Sequence, residues 1–213
     1  MKKGIFITLE GPEGSGKSTQ ARLLCAALRA RGARVVQTRE PGGTALAEGI
    51  RKVLLNPQTR VTPLAELFLY EAARAQHVRQ VIAPALKAGA WVVCDRFTDS
   101  TTAYQGYGRG LPRRQVEAAN AIATGGLVPD VTILLDAPVE AGLARAKSLK
   151  KAARGGDRLE REAVAFHKRL RAGFLELARK EPTRFVVLPW RDGIRTTQDA
   201  VLSALDKRLG RKR

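Results

Sequence analysis

Eight residues near the start of the chain, Gly11-Pro12-Glu13-Gly14-Ser15-Gly16-Lys17-Ser18, set glycines, a lysine and a hydroxyl at the spacing G-x-x-x-x-G-K-S/T. That set suits phosphate binding. Glycines let a backbone wrap closely round phosphate oxygens, with successive N–H groups pointing inward. Lys17 has the reach for the outer phosphates, and the Ser18 hydroxyl can hold Mg2+. The motif carries meaning only between a strand and a helix. Both are signalled here: Ile5-Phe6-Ile7-Thr8-Leu9 is apolar and β-branched, and a helix-like stretch runs from Ser18 to about Arg31. That helix would turn its positive end toward the same phosphates. Gly11, Pro12, Glu13, Gly14, Ser15, Gly16, Lys17, Ser18 and Thr19 are therefore expected to hold a nucleoside triphosphate.

A second pair of interest is Asp95-Arg96, directly after the run Trp91-Val92-Val93-Cys94. Its side chains would emerge at the carboxyl end of a strand, where ligands bind in open α/β sheets. If this strand lies beside the first, Asp95 arrives near the cation held by Ser18, which makes Ser18 and Asp95 the candidate metal ligands. Arg96 offers a planar fork suited to another phosphate.

These residues need a scaffold, and the apolar periodicity supplies one. Strands are expected at 4–9, 33–38, 90–94, 131–135 and 184–188. Helices are expected at 17–31, 44–55, 63–88, 112–124, 138–148, 158–180 and 196–209. The continuous apolar runs suit parallel strands covered on both faces. The alternation predicts one domain, residues 1–213, folded as a three-layer α/β/α sandwich around a five-stranded parallel sheet. Thr62-Pro63-Leu64-Ala65-Glu66 reads as an N-cap, an N1 proline and a capping-box acid near N4. Phe68 reads as core. Residues 147–158 are basic, hold two glycines and lie between two helices, which predicts a lid.

Composition narrows the setting. A chain of 213 residues with 44% hydrophobic content can build a full core. No apolar run approaches the ~20 residues of a membrane span. Met1-Lys2-Lys3-Gly4 leads straight into the first strand, with no room for a cleavable leader, so the expected compartment is the cytoplasm. Cys25 and Cys94 have no metal-like spacing and read as buried reduced thiols. His77 and His167, scattered in polar helical stretches, read as exposed. The net charge of +18 is uneven: residues 141–180 hold 12 Lys/Arg against 4 Asp/Glu. Such a field suits either a polyanionic small molecule or a nucleic acid. Aromatic content is only 5%, with no aromatic-rich basic segment of the kind strand-binding grooves use, so no nucleic-acid partner is expected.

Four segments resemble one family in order. Asp95-Arg96-Phe97-Thr98-Asp99-Ser100-Thr101-Thr102-Ala103-Tyr104-Gln105-Gly106 is similar to the DR(F/Y)xxSxxAYQG segment of bacterial thymidylate (dTMP) kinases. Thr38-Arg39-Glu40-Pro41-Gly42-Gly43-Thr44 resembles that family's TREPGGT, Ala72-Ala73-Arg74 its AAR helix motif, and Arg154-Gly155-Gly156-Asp157-Arg158-Leu159-Glu160 its RGxxDRxE lid. The resemblance implies ATP + dTMP → ADP + dTDP with Mg2+, a homodimer formed through helices packed face to face, and no membrane partner.

It also implies roles. Glu13 occupies the place of the carboxylate that binds the sugar 3′-hydroxyl. Arg74 matches the arginine that meets the thymine, and Tyr70, one helical turn earlier, stands where the family usually stacks Phe. Gln105 matches the polar residue at the thymine edge, while Tyr104 and Ser100 line the sugar. Arg96 and Arg51 match arginines around the acceptor phosphate, and Arg39 could join them or form a structural ion pair. Some family members carry a catalytic arginine in the phosphate loop. Here that position is Gly14, so the charge is expected from the lid, through Arg154 and Arg158 with Lys147 and Lys151 behind them. The expected catalytic set is Lys17, Asp95, Arg96, Arg154 and Arg158. Two rivals stay open: a phosphate-loop kinase with another nucleoside or nucleoside monophosphate as acceptor, and a nucleic-acid-stimulated ATPase. The choice of acceptor separates all three.

Overall fold

The computed structural model describes residues 4–150, 157–191 and 193–210. The five apolar runs form strands β1 (Phe6–Glu10), β2 (Val35–Arg39), β3 (Trp91–Asp95), β4 (Val131–Asp136) and β5 (Phe185–Pro189). All pair in parallel, in the order β2-β3-β1-β4-β5. Each lies within two residues of its expected span. The helices are α1 (Lys17–Ala30), α2 (Ala45–Leu55), α3 (Pro63–His77), α4 (Ala83–Lys87), α5 (Thr98–Thr101), α6 (Arg113–Thr124), α7 (Val139–Lys150), α8 (Val164–Lys180) and α9 (Ile194–Arg208).

The period of two along each strand divides the core. Ile7, Leu9, Val93 and Ile133 pack against Leu24, Cys25 and Leu28 of α1 and Val201 and Leu205 of α9. Phe6, Val92 and Cys94 face the other way, onto Val78, Ile82 and Phe97. Leu134 joins Leu170 and Phe174 of α8 on that second face. Both faces of the inner strands are covered, which is why β1, β3 and β4 are mostly apolar, with acids only at their carboxyl ends. The chain passes from β1 to β2 and β3 on one side, then to β4 and β5 on the other. The crevice at the carboxyl ends of β3, β1 and β4 is the place such a sheet offers a ligand.

Several local expectations are corrected. The expected helix 63–88 is broken into α3, a wide turn over Val78–Ile82 and α4. Pro84 lacks an N–H and crowds the turn before it, and the wider turn makes room for its ring. A second wide turn, Thr102–Gly108, continues α5 where no helix was expected. α8 starts at Val164 rather than 158. There the Asp157 carboxylate accepts from the backbone N–H groups of Leu159 and Glu160, both at 3.1 Å, holding a turn.

Thr62 makes no side-chain cap, and Glu66 is not a cap but a fully buried side chain. Phe68 is not core: it is 59% exposed among the described residues, on the solvent face of α3. His77 and His167 are both buried, and Cys25 and Cys94 are buried free thiols. Half of the expected lid, residues 151–156 with Lys151 and Arg154, lies outside the described residues.

Candidate active site

The loop between β1 and α1 follows from its glycines. Gly14 has φ +69° and Gly16, at the head of α1, φ +96°, a region open to glycine with little strain. Gly14 also lies against α7: a Cβ there would sit 1.9 Å from the Gly142 carbonyl oxygen. This explains physically why the loop carries no arginine at this position. α1 has no acidic residue in its first turn, so its positive end faces the loop undiminished.

Lys17 is buried and donates from Nζ to the carbonyls of Gly11 (3.0 Å) and Pro12 (2.8 Å). Burial and the nearby Arg96 charge lower its pKa to about 8, against the pull of Glu13, Asp95 and Glu10. The β1–β3 register sets Asp95 opposite Leu9, at the mouth of the loop. The Ser18 hydroxyl donates to Asp95 Oδ2, while Asp95 Oδ1 is buried without a hydrogen-bond partner among the described residues. One hydroxyl and one carboxylate with a spare oxygen form a hard, oxygen-only donor set that fits Mg2+, which keeps most of its shell as water and phosphate. Among the described residues no cluster of three or more His, Cys, Asp or Glu side chains could hold a metal ion.

Arg96 leaves β3 with φ +74°, an uncommon conformation for a residue with a side chain. The turn aims its guanidinium back over the loop. Nη2 donates to Glu13 Oε1 at 2.9 Å, and Nη1 to Ser100 Oγ at 3.1 Å and the Gly11 carbonyl at 3.3 Å. The Tyr104 hydroxyl donates to the same Glu13 oxygen, and its ring lies under Arg96 at 5.1 Å. Burial works against the Glu13 charge, but Arg96, Lys17 and Tyr104 outweigh it and hold the carboxyl at about 2. Glu10, missed in the sequence, closes β1 beneath them. It accepts from the Phe97 N–H and the Ser100 hydroxyl, and burial with the Asp99 charge raises its pKa to about 8.

One cavity of about 670 Å³ opens from this loop. Its wall brings together Glu13, Gly14, Gly16, Lys17, Ser18, Thr19, Asp95 and Arg96 with Arg39, Arg51, Tyr70, Arg74, Ser100, Tyr104 and Gln105. Gly11, Pro12 and Ser15 lie behind that wall as part of the loop's frame. Arg39 pairs with Glu48 at 3.0 Å, the ion-pair alternative, and still lines the cavity. Arg51 donates to the Pro41 carbonyl at 2.9 Å.

Arg74 is 2% exposed. Its Nε donates to Glu40, Nη1 to Glu71 and Asn120, and Nη2 to Thr101. That uses four of the five N–H groups a guanidinium owns and leaves one on Nη2, and Arg74 lines the cavity. Glu40 also meets His77 Nδ1 at 3.0 Å, and His77 Nε2 meets the Thr38 hydroxyl at 2.6 Å. This buried brace was invisible in the sequence, although Glu40 lies inside one of the segments quoted above.

Arg158 does not reach the cavity. It pairs with the buried Glu66 and donates from Nε to the Leu54 carbonyl at 3.0 Å, so the expected role over the transferring phosphoryl does not match its position. Arg145 of α7, not singled out in the sequence, does line the cavity and stacks over Trp190 at 5.6 Å.

The family model described as thymidylate kinase matches residues 9–201. A thymidylate kinase of Geobacter sulfurreducens is 51% identical over 98% of this chain and all of its own length. One from Synechococcus is 56% identical over 85% of each chain. The crystal structure of thymidylate kinase from Ehrlichia chaffeensis superposes with a TM-score of 0.76 at 33% identity, covering 95% of this chain and 99% of the other. A phosphate loop, a carboxylate set beside it by strand register and likeness along almost the whole chain lead to one conclusion: this chain belongs to the thymidylate kinase family.

Proposed function

We propose that the chain transfers the γ-phosphoryl group of ATP to dTMP, giving ADP and dTDP, inside this single cavity. The observation that carries the reading is the continuity of that cavity from the phosphate loop to Tyr70, Arg74 and Gln105. Lys17 and the head of α1 hold the donor phosphates. Ser18 and Asp95 hold Mg2+, which when bound neutralises phosphate charge. Arg96, with Arg51 and Arg39, faces the acceptor phosphate. Glu13 and Tyr104 meet the sugar, and Ser100 closes the wall beside them. Tyr70 stacks on the base, while Arg74 and Gln105 read its edge.

The attacking oxygen belongs to a phosphate already ionised at neutral pH, so no general base is required. Rate then comes from holding two anions in line and neutralising the group in transit. Lys17 and Arg96 supply fixed charge. Arg154, in the lid segment 147–158, supplies the closing cation, and closure excludes water as a competing acceptor. Arg158 anchors that segment through Glu66. Two copies of the chain pair through α2 and α3, whose exposed Leu64, Phe68, Leu46 and Val53 form adjoining apolar stripes. The reaction runs in the cytoplasm, a setting that suits two free thiols.

A coupled ADP-release assay across nucleoside monophosphates tests the function. dTMP is expected to be by far the best acceptor. Tyr70→Ala should raise the dTMP KM on the order of ten- to a hundredfold, the scale of one lost base–aromatic stack, with little change in kcat. Equal rates with all monophosphates, or turnover driven by DNA, would reject the reading.

A further inference from the structure

We propose that Glu66 fixes the direction of the Gln105 amide and thereby decides which pyrimidine the cavity accepts. The inference rests on the reading that Gln105 meets the acceptor base. A glutamine alone cannot discriminate well. Its terminal torsion is broad and roughly two-fold, so either the oxygen or the NH2 can face a ligand. A fixed preference needs a neighbour that holds one end.

Glu66 is that neighbour. Its side chain is fully buried in α3, and Oε1 accepts from Gln105 Nε2 at 2.7 Å. The same carboxylate accepts from Arg109 Nε (3.1 Å) and Nη2 (3.2 Å) and pairs with Arg158. Arg109 is itself held by Glu162 at 2.6 Å. Burial opposes the Glu66 charge, but the hydrogen bonds of Arg109 and Gln105 and the two arginine charges outweigh it, so its pKa is lowered. An ionised carboxylate only accepts hydrogen bonds. It therefore takes the NH2 end of Gln105 and turns Oε1 away.

Gln105 is 1% exposed, and its Oε1 is buried with no hydrogen-bond partner among the described residues. Gln105 also lines the cavity beside Tyr70 and Arg74. A buried acceptor without a donor is costly until a ligand brings one. Thymine and uracil carry an N3–H that donates. Cytosine presents a lone pair at N3, and two acceptors facing each other repel. The carboxylate of Glu66 thus converts an indifferent amide into a reader of N–H at N3.

The test is the ratio of kcat/KM for dTMP to that for dCMP. Glu66→Gln can donate to Gln105 Oε1 and lets the amide turn over. The ratio is expected to fall on the order of 10²-fold, part of the discrimination a hydrogen-bonding site can achieve. Glu66→Asp, still an acceptor only, should keep the ratio even if both rates drop. In a Gln105→Leu background, Glu66→Gln should change the ratio no further. A merely structural Glu66 would lower both rates together, and an unchanged ratio in folded Glu66→Gln overturns the proposal. The wild-type chain gives a test independent of any variant's folding. dTMP methylated at N3 should show a KM raised about tenfold or more. A KM equal to that of dTMP would also overturn the proposal. Failure of the wild-type chain to use dTMP at all would instead remove the underlying reading of the site.

Discussion

Lys17 illustrates how the residues of this site are tuned by their neighbours. Its amine is held at about 8, below the usual 10.5, first by burial and then by Arg96. Between those values the unfolded chain keeps a proton that the folded chain has shed, so this group's contribution to stability rises with pH across that window. Phosphate favours the ammonium form. Binding ATP at about pH 9 should therefore take up most of a proton, and at about pH 7 very little. Calorimetry in buffers of different ionisation enthalpy reads this directly. Equal uptake at both pH values, or none, would show that Lys17 is not the group that meets the phosphates. At this scale the sequence was legible where spacing implies chemistry: the loop 11–18 and the pair Asp95-Arg96. Glu40, Glu66 and His77 were not legible, because a lone acid or histidine in a helical or loop segment looks the same whether it faces water or a buried arginine. Only the packing of α3 against Gln105, Arg109 and Arg158 distinguishes Glu66 from the cap it resembled.

Among the elements, the strands were the most readable, since burial on both faces demands apolar and β-branched runs. The helices were readable except where the backbone leaves ordinary α geometry. Pro84 signals the break after α3, but nothing in the composition of 102–108 announces a wide turn. Phe68 was misread as core, and its exposure together with that of Leu64 on α3 sustains the proposed pairing of two chains. Replacing Phe68 by Glu should convert dimers to monomers in analytical ultracentrifugation at micromolar concentration, because a charge in the centre of an apolar contact is desolvated without a partner. A wild-type chain that sediments as a monomer would remove this interface.

For the molecule as a whole, the charge of +18 proves a poor guide to the site. The described cavity wall holds six cations, Lys17, Arg39, Arg51, Arg74, Arg96 and Arg145, against five acids, Glu13, Glu40, Asp95, Asp157 and Glu160. Most of the excess lies elsewhere, and the cations that matter are those oriented by a partner, a carboxylate for Arg74 and Arg96 and backbone carbonyls for Lys17 and Arg51. The fold supplies what the charge does not: one sheet brings the phosphate loop, Asp95 and Arg96 to a common edge, and α3 with the segment after β3 closes the far end. The central claim is that this one cavity holds both nucleotides. A crystal structure with ADP and dTMP bound tests it most directly. The account predicts the ADP phosphates within the loop 11–18, the dTMP phosphate against Arg96, and thymine on the Tyr70 ring with its N3 facing Gln105 Oε1. Thymine bound outside that pocket, or a dTMP phosphate pointing away from the loop, would contradict it.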